Sequence, residues 1–202
     1  VPENAVLSIA GDIDIDQTKT LVEKYFSEIP RGTKEIPRPT VVEPPQTEEV
    51  RDLIYDNIQL PAVIQSYHIP PQGTDDFYAV NMLAQLLSQG ESSRLSKSVK
   101  DEQQKAVYVG AFPLDLEDPG ITIAFGIAIA GVSPEDLEAA MDAEYDKVKN
   151  ELISEQEFQK LRNQIENDFI SSNSRIAGIA ESLANYHMYY GDTDLINTEI
   201  ER

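Results

Sequence analysis

Short apolar runs alternate with amphipathic stretches along this chain, and the spacing of the apolar residues predicts strands and helices in turn. Residues 5–11 (AVLSIAG) are apolar and partly β-branched, which predicts a short strand. A helix with apolar residues at helical spacing follows an N-cap at Asp14 or Asp16. Two further strands are predicted at residues 49–55 and 62–69, and the short polar connection between them favours an antiparallel pair.

The middle of the chain predicts two helices followed by two strands. The first helix begins at Thr74 or Asp75 and ends at Gly90, a residue type that suits a left-handed C-terminal position. The second helix and the two strands are assigned, in order, to residues 92–102, 106–112 and 121–129. The last strand alternates β-branched or aromatic residues with small ones, as in a strand covered by helices.

The remainder is predicted to be helical. Ser133 and Pro134 supply an N-cap and a first-turn proline, and residues 154–157 (SEQE) form a capping box. Another helix is assigned to residues 174–190. Antiparallel strands with segregated helices predict an α+β fold, with a mostly antiparallel sheet and helices on one face.

A proline-rich segment divides the chain. Five of the twelve prolines lie between residues 30 and 45, and proline fixes φ and removes a backbone donor, so this segment is predicted to be an extended connector. We therefore divide the chain into residues 1–30, a linker at 31–48 and a second domain at 49–202.

Composition removes several classes of function. The formal net charge of −20 disfavours nucleic acid and anionic membranes as partners, although it could attract cationic ones. The absence of cysteine excludes disulfides and thiolate chemistry. No apolar run is long enough for a membrane span, and the start resembles an excised segment without a signal peptide.

Motifs that carry chemistry are sparse. The two histidines, His68 and His187, have no second ligand at helical spacing, so no metal site is predicted in this chain. Acidic residues at 115–118 lack the spacing of a calcium loop, which favours a solvated turn. There is no glycine-rich phosphate loop and no nucleophile elbow. No catalytic residue is assigned.

Several segments, among them GESSRL at residues 90–95 and SEQEF at residues 154–158, follow one another in an order that resembles the pitrilysin/insulinase family of zinc metallopeptidases. Residues 4–14 with 24–30 resemble the strand and helix that close the first half of these enzymes, and the proline-rich segment resembles the linker between halves. Residues 59–95, which include the sequence GESSRL at 90–95, are similar to the second half, as is the helix start at 154–158.

The resemblance implies that this chain is the half that encloses a peptide and lacks the inverted zinc motif of the first half. Active members place an Arg and, seven residues later, a Tyr near the scissile bond. Alignment on residues 92–95 puts these positions at Lys100 and Val107, and a slip of one residue puts them at Asp101 and Tyr108. Strand alternation predicts that Tyr108 faces away from Val107. Substrate-binding roles are assigned to Lys100, Tyr108 and Arg94.

Function follows from the same resemblance. The expected role is the zinc-free, substrate-enclosing portion of a bacterial metallopeptidase that is inactive alone, with zinc in a catalytic half or partner subunit. The partners are then an extended peptide and that catalytic half, in the periplasm or the cytoplasm. The alternatives are a structural or chaperone-like relative that binds peptides without a catalytic partner, and an unrelated α+β binding domain.

A strand-exchanged dimer is a further prediction. The chain carries the equivalent of the first half's closing strand near residues 5–10 and stops before the second half's own. That leading segment is predicted to fill a vacant sheet edge, in its own molecule or in a neighbour.

Overall fold

A computed structural model describes residues 2–201 and contains five α-helices, two π-helices and three strands. The strands are β1 (Ala62–Ile69), β2 (Ala106–Leu114) and β3 (Gly120–Ala128). The α-helices are α1 (Ile15–Phe26), α2 (Asp75–Ser88), α3 (Pro134–Asn150), α4 (Glu155–Asn173) and α5 (Ile176–Asn185). The π-helices are π1 (Ser96–Glu102) and π2 (Tyr186–Tyr190). None of these helices is long and apolar enough to cross a lipid bilayer.

The chain divides into two compact units. One consists of Asn57–Asp168 and contains the whole sheet with α2, π1 and α3. The other combines the residues up to Asp56 with those from Phe169 onward, and it contains α1, α5 and π2. The candidate site lies within the unit formed by Asn57–Asp168.

The sheet is antiparallel and has the order β1-β3-β2. Ile64 lies opposite Phe125 on one side of β3, and Gly110 lies opposite Phe125 on the other. The predicted α+β class, with an antiparallel sheet, is confirmed. The sequence-based pairing of residues 49–55 with 62–69 is wrong, because β1 pairs with β3 instead.

The core lies between the sheet and the helices. A Cβ atom at Gly126 of β3 would meet Leu137 and Met141 of α3 at 3.1 Å, so this face of β3 is the one that α3 covers. Leu95 and Val99 are fully buried in the same cluster. Leu95 belongs to the GESSRL sequence, which therefore contributes to the core as well as to the surface.

Local signals at helix ends are confirmed. The side chains of Asp14, Thr74 and Ser133 each accept a hydrogen bond from the first turn of the helix that follows. Gly90 has φ +80°, the left-handed conformation predicted for the residue that follows α2. The hydroxyl of Ser154 accepts from the Glu157 amide, and Glu157 in return accepts from the Ser154 amide, which completes the predicted capping box.

Two predicted strands are absent. Residues 5–10 and 49–55 have no regular secondary structure in the part of the chain that the structure describes. Both segments have apolar residues of high strand propensity, but a strand is stable only when its backbone groups find a ladder partner. Residues 5–10 consequently contribute no strand to the sheet of their own chain.

Candidate functional site

Three backbone irregularities follow one another between residues 96 and 108. The helix predicted at 92–102 becomes the seven-residue π1, and Gln104 has φ +53°, a conformation that is uncommon for a residue other than glycine. A β-bulge then interrupts the register of β2 between Ala106 and Tyr108. π-helices and bulges are over-represented at functional sites, where they redirect side chains. Two of the three predicted site residues, Lys100 and Tyr108, lie on this segment.

Lys100 is held by an acidic neighbour from the loop after α2. Its ammonium group donates a hydrogen bond to Glu91 Oε2 at 3.1 Å. This hydrogen bond, the charge of Glu91 and the nearby Asp101 and Tyr108 raise the pKa of Lys100 above its usual range, against a small opposing effect of burial. The Lys100 side chain is therefore cationic at any physiological pH. It is only partly exposed to solvent.

The bulge changes the orientation expected for Tyr108. Val107 and Tyr108 are both exposed, by 45% and 53% respectively, because the bulge inserts an extra residue and strict alternation fails there. Strict alternation is therefore interrupted between Ala106 and Tyr108, and the separation of the Val107 and Tyr108 side chains stays a prediction. The Tyr108 ring stacks on Phe125 of β3 with a centroid separation of 5.1 Å.

Arg94 is engaged within the protein. Its Nε and Nη2 atoms donate to the two carboxylate oxygens of Glu157 at 2.9 and 3.1 Å. The pKa of Glu157 is lowered from 4.5 to about 2. The main cause is the hydrogen bonding from Arg94, and the hydrogen bonds from Ser154 contribute to the shift. The Arg94 side chain is only 18% exposed, so its guanidinium group connects the segment after Gly90 to the start of α4.

The cavity beside this ion pair is small. It has a volume of about 30 Å³, and Gln85, Gln89 and Lys160 are among its lining residues. A volume of this size is far below the several hundred Å³ (about 300 or more) of sites that enclose small-molecule ligands. This cavity is therefore too small to hold a peptide side chain, which would need a larger pocket or an open surface.

An open surface of that kind is formed by the sheet face opposite the core. Phe112 of β2 and Tyr108 both contact Phe125, with ring centroids 6.2 and 5.1 Å from it. This aromatic cluster was not predicted from the sequence, because the register and the bulge decide which residues meet. One signal was available, since none of the three strands contains Asp, Glu, Lys or Arg.

The residues present do not fit a zinc site. Among residues 2–201, no group of three or more His, Cys, Asp or Glu side chains is placed to bind a metal ion. His68 lies in β1 and His187 in π2. No chemical step of this chain is therefore assigned to a metal.

A family model for the peptidase M16 inactive domain matches residues 1–165. The chain belongs to this family. The zinc protease PqqE of Helicobacter pylori is 27% identical over 187 residues, which are 92% of this chain and 42% of that protein. The chain spans less than half the length of the curated relatives it matches.

Solved structures agree on the fold of this M16 inactive domain. A protease from Helicobacter pylori superposes with a TM-score of 0.82 at 24% identity, over 96% of this chain and 48% of that one. The peptidase M16 inactive domain of Pseudomonas fluorescens superposes with a TM-score of 0.60 at 17% identity, over 69% of this chain and 33% of that one. The predicted relationship to the second, non-zinc half of these peptidases is confirmed.

Proposed function

We propose that this M16 inactive domain is the substrate-enclosing, zinc-free portion of a metallopeptidase, and that it binds extended peptide without hydrolysing it. The observation that supports this most directly is the irregular segment from π1 to the bulge, which presents Lys100 and Tyr108 beside an aromatic sheet face. Zinc would be held by a catalytic half or partner subunit. Residues 49–202 would form the second domain, with residues 1–30 closing the preceding half.

Lys100 and Tyr108 have complementary roles in this proposal. The Lys100 ammonium donates to a substrate carbonyl or carboxylate, as the Arg of active relatives would, although it lacks the planar fork of a guanidinium group. The Tyr108 hydroxyl supplies a second donor on an exposed side chain. Arg94, bound to Glu157, positions the segment that carries Lys100, and direct contact with peptide remains a prediction from the sequence.

Binding and cleavage by the purified chain test this function. A fluorescein-labelled extended peptide should bind, as measured by anisotropy, and Lys100→Met should weaken binding about tenfold, the effect of removing one charge-assisted hydrogen bond. Lys149→Met is the matched control, because Lys149 is an exposed lysine paired with Asp146 on α3. The chain should not cleave the peptide with or without added zinc. Turnover that a chelator abolishes would refute the proposal.

A purely structural or chaperone-like relative is the second candidate. The aligned positions hold Lys100 and Val107 where active relatives have Arg and Tyr, which favours a loss of catalytic geometry. An inverted zinc motif in the remainder of the protein, or in a subunit that copurifies with it, would favour the first candidate. Peptide binding with no such motif in either place would favour the second.

A further inference from the structure

The centre of the open sheet face is apolar, and its three strands contain no Asp, Glu, Lys or Arg. Ser66 and His68 continue the face along β1. Ile64 of β1 is 73% exposed and lies opposite Phe125, while Phe112 of β2 is 42% exposed and lies opposite Ile123. The alternation that places these residues on one face sends their neighbours Ala111 and Ala124 into the core. A contiguous exposed apolar face on a soluble protein typically marks an interaction site.

The charges of the chain lie outside this face. The sequence has 36 acidic and 16 basic residues, and the three strands contain none of them. The chain as a whole therefore carries a negative field, which attracts cationic partners and repels anionic ones. A second copy of this chain is disfavoured as the occupant of this face, because each copy carries a formal charge of −20.

We infer that the cluster of Ile64, Tyr108, Phe112 and Phe125 is the docking surface for an extended cationic peptide with apolar residues at alternate positions. This inference rests on the proposed function and specifies its substrate class. In an extended peptide, alternate side chains point to opposite sides, so one set contacts the sheet face and the basic set stays in solvent. The aromatic rings supply rigid apolar area, and the net negative charge of the whole chain supplies the long-range attraction.

Three labelled peptides separate the contributions of apolar contact and charge: alternating Leu and Lys, alternating Ser and Lys, and alternating Leu and Glu. The Leu-Lys peptide should bind at least about tenfold more tightly than either of the others. Ile64→Ser and Phe112→Ser should each weaken Leu-Lys binding about tenfold, the usual loss at a central contact residue. Added salt should also weaken binding of the Leu-Lys peptide to the native protein, because salt screens the attraction between opposite charges.

Leu152→Ser is the control variant, because Leu152 is fully exposed in the loop between α3 and α4 and belongs to none of the three strands. It should leave Leu-Lys binding unchanged. Ile64→Ser removes a side chain that is already mostly exposed, so its thermal unfolding should match that of the native protein. Phe112→Ser tests Leu-Lys binding to the same face from a second strand, β2.

The outcomes distinguish this inference from the function it rests on. If the Ser-Lys peptide binds as tightly as the Leu-Lys peptide and the face variants change nothing, the docking surface is refuted and peptide binding stands. If none of the three peptides binds, both proposals fail. If light scattering shows a dimer that Ile64→Ser dissociates, a second copy occupies the face and the inference is overturned.

Discussion

Arg94 and Glu157 are joined by two parallel hydrogen bonds, although 63 residues separate them along the chain. Glu157 also closes the capping box with Ser154, so a single carboxylate holds both the start of α4 and the segment after Gly90. The family-like sequence at residues 90–95 is therefore fixed to a helix start that the sequence marks independently.

Glu157→Gln should destabilise the fold by about 1 kcal/mol near pH 7, because it removes the negative charge that accepts hydrogen bonds from Arg94 and Ser154. The pKa of Glu157 is lowered in the folded state, from 4.5 to about 2. Its stabilising contribution is therefore complete above the unfolded-state pKa and is lost as the pH falls from about 4.5 to about 2. Urea unfolding at several pH values measures the difference between the native protein and the variant.

The exposed pair Arg162–Glu166 on α4 provides the control for this experiment. Glu166→Gln should cost no more than about 0.5 kcal/mol, as expected for an exposed pair one helical turn apart. Equal losses for Glu157→Gln and Glu166→Gln, or a Glu157→Gln loss that persists unchanged at low pH, would contradict the connecting role of Glu157.

Glu91→Gln should lower the pKa of Lys100 towards its ordinary value, because the hydrogen bond and charge of Glu91 are the two largest causes of its elevation. NMR titration of the lysine side chain measures this change. Asp101→Asn is the matched control, since Asp101 raises the same pKa through charge alone and should have the smaller effect. Under the proposed function, Glu91→Gln should also tighten peptide binding, because the substrate no longer competes with Glu91 for Lys100.

The strand-exchanged dimer remains a prediction, and the apolar residues near the start of the chain give it a direct test. Leu7 and Ile9 are substantially exposed in a segment that forms no strand of its own. Light scattering should give twice the monomer mass of 22.5 kDa. Leu7→Pro should reduce the mass to that of a monomer, because proline removes a ladder donor. A native protein that stays monomeric at high concentration would exclude the exchange.

Features of the fold that depend on interactions between neighbouring residues could be predicted from the sequence. The caps at Asp14, Thr74 and Ser133 and the left-handed Gly90 involve neighbours within a few residues, and all are confirmed. The strand predicted at residues 49–55 failed because pairing depends on a distant partner, and β1 pairs with β3. The same limit applies to the aromatic cluster on the open face, whose members meet only after the sheet has formed.

Gly110→Ala should disturb the open face selectively. A Cβ atom at this position would lie 3.1 Å from the Ser88 hydroxyl and 3.4 Å from the ring of Tyr108, a residue of the same strand. We expect a stability loss of about 1 kcal/mol from this overpacking, together with displacement of Tyr108 from Phe125 and weaker binding of the Leu-Lys peptide. Tyrosine near-ultraviolet dichroism and peptide anisotropy measure these effects.

Ser88→Ala combined with Gly110→Ala relieves the tighter contact and should restore stability, while binding stays weak because Tyr108 is still displaced. Full recovery of binding in the double variant would show that Ser88, and not the Tyr108 ring, governs this end of the face.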